Sequence, residues 1–381
     1  MVEQSSLLEN ILQYSSSAPI PEKNFDLQPD ISFSSSNHEI FHNSLLSILH
    51  SNSVKSKSII FSTNRVKNGK RRATGGFADR FKGLASAILW SIGANRSFKL
   101  DWTHPFQLDQ IYDFPFDQIE NKGEFCTIDL IDNNRVNNLP TIMEKGILSF
   151  TPDDDEILFH SNSVIMELLK LEEIREKFPN VDLEMEGQPG QIGHQELMSS
   201  ILSIFRILPN EKESIFLSSF ITLKQDFPST IGLQFRTGGE GEWKDPQWGN
   251  PEDIHRLVEE IASKLPEENG KSLLYLATDS KKAKEILLEI SHPRFRLLCS
   301  NGPIAHMDRS SGEMAIQGSR FAIIENHLLS HCDKIYTVHG GFAKLAGCRA
   351  NKPITRIRLK KLESPIQNTV INSKGKNIPL Q

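Results

Sequence analysis

The sequence predicts an α/β protein made of two doubly wound halves, and three observations lead there. The chain has 381 residues, whereas a single hydrophobic core rarely grows past ~250. Its first half holds a strand, a glycine turn, a helix and a second strand in succession ("SIIFS", "GG", "FADRFKGLASAILW", "SFKLDW"), which is a βαβ unit. From Thr230 onward, strand and helix patterns alternate with greater regularity, as a parallel sheet requires.

Taken in order, residues 1 to about 38 are rich in Ser, Pro and Asn and read as an extended arm. From His38 to His50 a short amphipathic helix is expected, with Ile40, Leu45, Leu46 and Leu49 on one side. "SIIFS" (Ser58 to Ser62) is a buried-strand pattern, followed by a basic loop from Arg65 to Arg72. Phe77, Phe81, Leu84, Ala85, Ile88, Leu89 and Ile92 recur at helical spacing, so a helix starts directly behind Gly76. Phe98, Leu100 and Trp102 then alternate as a strand does. "FCTIDLI", "GILSF" and "EILFH" read as further strands, with a helix starting near Val164 and two more from about 191 to 208 and from about 211 to 226.

In the second half "TIGLQF" is a strand ending at Phe235, and "NPEDIHRLVEEIASKL" is a helix with Asn250 as its cap and Pro251 in its first turn. "SLLYLA", "FRLLC", "KIYTV" and "ITRIRL" are strands. Between them lie the helices "SKKAKEILLEI", capped by Ser280 or Asp279, "AIQGSRFAIIENHLLSH" and the short "FAKLAGCRA". The expected boundaries are an arm and short helix (1–50), a first Rossmann-like domain (51–226), a second (227–365) and a tail (366–381).

Composition narrows the function. An apolar fraction of 38% and a charged fraction of 24% are those of a globular chain. With 43 basic and 48 acidic side chains the net charge is -5, so nothing attracts nucleic acid or an anionic membrane in bulk. Four scattered cysteines offer no metal-cage or disulfide spacing. No run approaches the ~18 apolar residues of a membrane span, and no secretory leader pattern is visible. The expectation is a cytoplasmic protein with no nucleic-acid partner and no membrane span.

In an open α/β sheet, ligands bind beyond the carboxyl ends of the strands. Four such ends in the second half carry unusual residues: "RTGGEGEWKD", "TDS", "SNGPIAHMDRSSGE" and "HGGF". Arg236, directly behind a buried strand and followed by Gly238 and Gly239, suits bidentate phosphate binding. Gly340 and Gly341 open a helix with unhindered backbone N–H groups. Gly75 and Gly76 do the same in the first half, although the stretch is neither GxGxxG nor a P-loop.

Those residues carry a resemblance. "GGFADRFKGLASAILWSIGANRSFKLDW", "IGLQFRTGG", "LLYLATDSKKAKEIL" and "ENHLLSHCDKIYTVHGGFAKLAGCRANK" resemble the ordered motifs of the inverting GDP-fucose-dependent fucosyltransferase superfamily. That group spans α-1,2- and α-1,6-fucosyltransferases, the nodulation fucosyltransferase and the protein O-fucosyltransferases. The resemblance runs from about residue 58 to residue 360. It implies the GT-B architecture of two facing Rossmann-like domains with the active site in the cleft, and metal-independent, cofactor-free transfer from GDP-fucose to a glycan or protein hydroxyl.

Residue by residue, the arginine of an H-x-R motif becomes Gln234-Phe235-Arg236, with glutamine in place of the histidine. Gly75-Gly76-Phe77-Ala78-Asp79 stands for a G-G-x-G-N/D motif, Ala277-Thr278-Asp279 keeps the A-T-D motif, and His339-Gly340-Gly341-Phe342 replaces a serine-bearing turn. The implied donor site is Gly75, Gly76, Phe77, Arg236, Asp279, Gly340, Gly341 and Phe342; in "HMDRS" His306 and Asp308, with Ser310 behind them, either line the nucleobase or phosphate pocket as part of that donor site or merely cap a loop. Arg236 would neutralise the departing diphosphate. Glu240 is the first candidate for the general base and Asp79 the second.

Rival readings remain open at this level. "PDDDE" (Pro152 to Glu156) raises the metal-binding DxD of the other glycosyltransferase fold, although it reads as a turn before a strand. The basic loop from Arg65 to Arg72 is either a solvated surface or a site for an anionic acceptor. The altered motif positions permit another nucleotide-sugar donor, and a non-catalytic glycan-binding module would keep the same fold.

Overall fold

A computed structural model of the chain describes residues 33, 35–67, 70–72, 74–119, 125–131, 133–183, 192–239, 249–266, 270–305, 307, 312–358, 369–371 and 377–379. Most of the expected arm, and Glu240, His306, Asp308 and Ser310, lie outside the described residues.

Ten strands form two five-stranded, wholly parallel sheets. The first contains β1 (Ser58–Ser62), β4 (Ser97–Asp101), β6 (Asp117–Gln118), β7 (Cys126–Asp129) and β8 (Glu156–His160), in the order β6-β4-β1-β8-β7. β2 (Val66–Lys67) and β3 (Lys70–Arg71) form a small hairpin in the basic loop, and β5 (Tyr112–Asp113) pairs with β9 (Arg206–Ile207). The second sheet contains β10 (Thr230–Phe235), β11 (Ser272–Thr278), β12 (Phe295–Cys299), β13 (Lys334–Thr337) and β14 (Ile354–Arg356), ordered β12-β11-β10-β13-β14. In that order the chain winds outward from β10 in one direction, then crosses to the other side. The crevice between β10 and β13 is therefore a topological switch point.

The helices are α1 (Ser36–Asn52), α2 (Phe77–Gly93), α3 (Asn133–Phe150), α4 (Glu172–Arg175), α5 (His194–Leu202), α6 (Glu211–Lys224), α7 (Ile254–Lys264), α8 (Lys281–Glu289), α9 (Gly312–His331) and α10 (Gly341–Arg349). Sequence signals explain their starts. Ser280 Oγ accepts from Ala283 N at 3.1 Å, so serine is the α8 cap, not Asp279. Asn210 and Glu213 close a capping box on α6.

Four expectations need correction. Helix α1 buries His38, Phe41, Leu45 and Leu49, while Ile40 and Leu46 stay exposed. At about 100° per residue Leu46 falls roughly a quarter of a turn from the middle of the buried stripe, and Ile40 falls nearly opposite it. "GILSF" is the last helical turn of α3, set off from the rest by a kink at Gly146 (φ +79), and not a strand. Ile147 is buried, Leu148 exposed and Phe150 half-buried, so the apparent alternation hides a helical repeat. The helix expected near Val164 is a 3-10 turn (Met166–Lys170) followed by the single turn of α4, and the one near Gln191 stops at Leu202.

One apolar cluster runs without a break from Ile59, Phe81 and Trp90 of the first unit to Phe321, Leu328 and Ala346 of the second. A second cluster, built on Ile231, Leu233, Leu257 and Leu287, fills the outer face of the second sheet. Helix α2 is buried almost all round because it packs on β1 on one side and against α10 on the other. A large apolar junction of this kind holds two units in one orientation.

Polar contacts reinforce the junction. Arg320 of α9 grips Glu213 of α6 at 2.9 and 2.7 Å and donates to the Gln110 carbonyl at 2.8 Å. Tyr112 of β5 lies with its hydroxyl 3.1 Å from His327 Nε2 and 3.1 Å from the Arg349 guanidinium, whose cation also sits 5.6 Å from the Tyr112 ring. Burial lifts the Tyr112 hydroxyl to about 12 and pushes His327 well below its ordinary range, so this contact is between a neutral phenol and a neutral imidazole. Tyr112→Phe should lower stability by about 1–3 kcal/mol, because Arg349 keeps its charge and loses its hydrogen-bond partner. A denaturant titration reads this, and an unchanged midpoint would contradict it.

Candidate active site in the cleft

A cavity opens where the carboxyl ends of the two sheets face each other. Gly76 and Phe77 line it from the first unit. From the second unit come Gln234, Arg236, Asp279, the loop at Pro303–Ala305, Phe321 and Glu325 of α9, and Phe342 of α10.

The first-unit wall is set by a glycine turn. Gly75 has φ +96, and a Cβ there would lie 2.6 Å from Asp79 Cβ, so only glycine fits. Arg80, wholly buried, fixes the turn by donating to Gly75 O at 3.0 Å and to His104 O, with its guanidinium 5.5 Å from the Trp102 ring. Gly76 caps α2 without a side-chain bond, leaving its first N–H groups open toward the cavity. Asp79 turns away: its carboxylate pairs with Lys82 at 2.5 Å and lies against Gly75.

The second-unit wall begins at the end of β10. Arg236 is about one-third exposed, and its Nε stands 3.7 Å from Asp279 Oδ2. That separation exceeds a hydrogen bond. Asp279 is engaged elsewhere, accepting from Thr237 N at 2.7 Å, Thr237 Oγ1 at 3.1 Å and Gly238 N at 3.2 Å. It therefore shapes the segment that carries Arg236. Gln234 is pinned through its Oε1 by Thr337 Oγ1 at 2.7 Å, across paired strands, so its amide nitrogen is the end left for the cavity.

Helix α10 starts at Gly340, whose φ of +107 only glycine holds readily, with no side-chain cap. Asn326 ties that first turn to α9 by donating to Phe342 O at 2.8 Å. The two glycine helix starts meet closely: a Cβ built on Gly341 would lie 3.1 Å from Ala78 Cβ and 3.8 Å from Lys82 Nζ. Two positive helix ends and Arg236 thus face one cavity, through Gly76, Phe77 and Phe342.

Deeper in, the cavity becomes a largely apolar slot between Ile304, Ala305, Phe321 and Phe342. One buried carboxyl faces it. Glu325 Oε1 accepts from Ser300 Oγ at 2.6 Å and lies 3.2 Å from the Tyr275 hydroxyl, which leaves Oε2 for the slot. Burial pushes this carboxyl above its ordinary value, while Lys284 and the two hydroxyls pull it back. Ser319 Oγ, also in the slot, is buried without a partner.

Of the residues expected at the donor site, Gly76, Phe77, Arg236, Asp279 and Phe342 line one cavity. Gly75, Asp79, Gly340 and Gly341 stand behind it. Gln234, Ser319, Phe321 and Glu325 were missed as site residues. Their signal is slight: a glutamate and a serine inside an otherwise apolar helical stripe. "PDDDE" lies at the opposite end of the first sheet, where Asp155 O accepts from Ser58 N at 2.7 Å, Asp153 pairs with Lys57, and Arg96 holds the Pro152 carbonyl at 2.6 Å. It borders the amino ends of the strands, so it cannot reach a ligand in the cleft. Among the described residues no group of three or more His, Cys, Asp or Glu side chains is placed to hold a metal, and no helix is long and apolar enough to cross a membrane.

Two facing parallel-sheet units with a cavity between them define the GT-B fold. The solved structures with this fold are fucosyltransferases in several instances. A point mutant of Arabidopsis thaliana FUT1 in complex with GDP superposes with a TM-score of 0.52 at 12% identity, over 93% of this chain and 88% of that one. The fucosyltransferase NodZ from Bradyrhizobium matches with a TM-score of 0.42 at 14% identity, over 77% of this chain and 92% of that one. No protein-family model and no curated protein sequence matches the chain.

Proposed function

We propose that the protein transfers fucose from GDP-fucose to a hydroxyl acceptor, with inversion and without a metal ion. The observation that carries this reading is the convergence of Arg236 and two glycine-started helices beside a slot that ends in a buried carboxyl. The GDP bound to the structure of similar fold agrees with it.

In this reading the base enters the slot between Phe321, Phe342 and the Pro303–Ala305 loop. The Glu325 Oε2 acceptor suits a base with adjacent N–H donors, which among the common nucleobases is guanine. The diphosphate then meets Arg236, the Gln234 amide nitrogen and the first N–H groups of α10. As the sugar leaves, the anomeric carbon gains oxocarbenium character and the diphosphate gains negative charge. Fixed donors aimed at that charge supply several kcal/mol without reorganising. The acceptor approaches from the Gly76 and Phe77 side, opposite the leaving group. Glu240, directly behind the Arg236–Gly239 segment, is assigned as the base that takes the acceptor proton. Asp79 is the weaker choice because Lys82 already holds it.

A thermal-shift panel of GDP, UDP, dTDP and CMP, each with and without EDTA, tests the donor class. Selective stabilisation by GDP, about 2.7 kcal/mol at a hundredfold excess over Kd and unchanged by EDTA, is expected. Equal response to all four nucleotides, or none to GDP, would remove the reading.

A further inference from the structure

Helix α8 carries a buried lysine. Lys284 is 6% exposed, and its Nζ makes no hydrogen bond to the described residues. The ammonium stands 5.7 Å from the centroid of the Phe321 ring. Phe321 and Glu325 are one helical turn apart on α9, and both line the slot. An ammonium buried without a hydrogen bond is costly unless an opposite charge lies in the same low-dielectric region. The charge that meets this need is Glu325, whose carboxyl Lys284 attracts.

We propose that Lys284 is a positioning residue whose ammonium, held against the Phe321 ring one turn from Glu325, is the charge partner of that carboxyl and thereby makes the slot's acceptance of a nucleotide depend on pH. This rests on the reading of the slot as a nucleobase site. The groups facing Glu325 are Lys284 from α8, Asp279 and Tyr275 from β11 and its end, and Ser300 behind β12. Cys299 lies beside them with its thiol lifted to about 11, so it stays neutral. Lys284 is therefore the cation in this set. A carboxyl raised by burial adds stability at low pH and loses it as pH rises through its folded-state value. Removing Lys284 raises that value further, so binding that needs the carboxylate is lost at a higher pH than before.

The test uses the full chain as wild type, Lys284→Met, Lys284→Arg, Glu325→Gln and the double variant Lys284→Met/Glu325→Gln. GDP affinity is measured by calorimetry from about pH 5 to about pH 9. The midpoint below which binding falls should move up by about one pH unit or more in Lys284→Met and return toward wild type in Lys284→Arg. Thermal midpoints, which need no nucleotide, are recorded over the same range. The loss caused by Lys284→Met should grow with pH when Glu325 is present and stay flat in the Gln background. A Lys284→Met protein with the wild-type binding midpoint, or one whose thermal loss ignores the Glu325 substitution, overturns the proposal. Failure of wild type to bind GDP overturns the base-slot reading instead, and the thermal series still decides the coupling of the two charges.

Discussion

Arg236→Ala is expected to slow sugar transfer by about 100-fold or more while the protein stays folded. The side chain leaves the end of β10 at the switch point of the second sheet, is about one-third exposed and lines the cleft cavity. Its contact with Asp279 is long at 3.7 Å, and that carboxylate is already satisfied by Thr237 and Gly238. Removing the guanidinium therefore leaves Asp279 its backbone and hydroxyl donors. The departing diphosphate, in contrast, loses a positioned cation at the moment its charge appears. Steady-state kinetics beside a thermal melt separate the two effects. Near-normal turnover in a folded variant would take Arg236 out of the mechanism, and a large drop in the melting temperature would show that its role is structural.

The largest effect on stability is expected from Gly83→Ala, about 3 kcal/mol in a denaturant titration. A Cβ at this position would lie 1.8 Å from the Ser161 carbonyl oxygen and 3.1 Å from the Phe61 ring. Backbone cannot turn aside as a side chain can, so α2 must move off the sheet. That helix bears the Gly76 start and packs against α10, and its displacement would also open the cleft. Gly76→Ala is the control. A Cβ there meets nothing within 4 Å, so its cost should stay below about 1 kcal/mol. Equal midpoints for the two variants would mean that α2 is not held where the contact places it.

Those two glycines show how far a sequence can be read. Both stand in one stretch, and the glycine pair before an apolar run correctly announces a helix start. Nothing local distinguishes Gly83 from an accidental helix glycine, because its reason is a carbonyl on β8's exit 78 positions later. The slot behaves likewise. Arg236 was legible because it follows a strand end beside glycines, whereas Glu325 looked like one more polar residue in a helix. Its meaning comes from Ser300, Tyr275 and Lys284, which belong to three other elements. Asp79 and Asp279 were legible as polar residues at turns, but their partners were not. Lys82 pairs with Asp79, while Asp279 lines the cavity and accepts from the Thr237–Gly238 backbone.

By itself the sequence determined the alternation of strand and helix, the two parallel-sheet units, the glycine helix starts and the arginine behind β10. Each of these follows from the period of apolar residues or from a backbone requirement within a few positions. Only the tertiary structure decided that the "PDDDE" acids border the far end of the first sheet, that α2 and α10 meet at Ala78 and Gly341, and that Glu325 ends the slot. Periodicity reports which face of one element is buried. It is silent on what that face meets, because crossovers of the sheets bring together residues far apart in the chain and close packing then selects which of them touch.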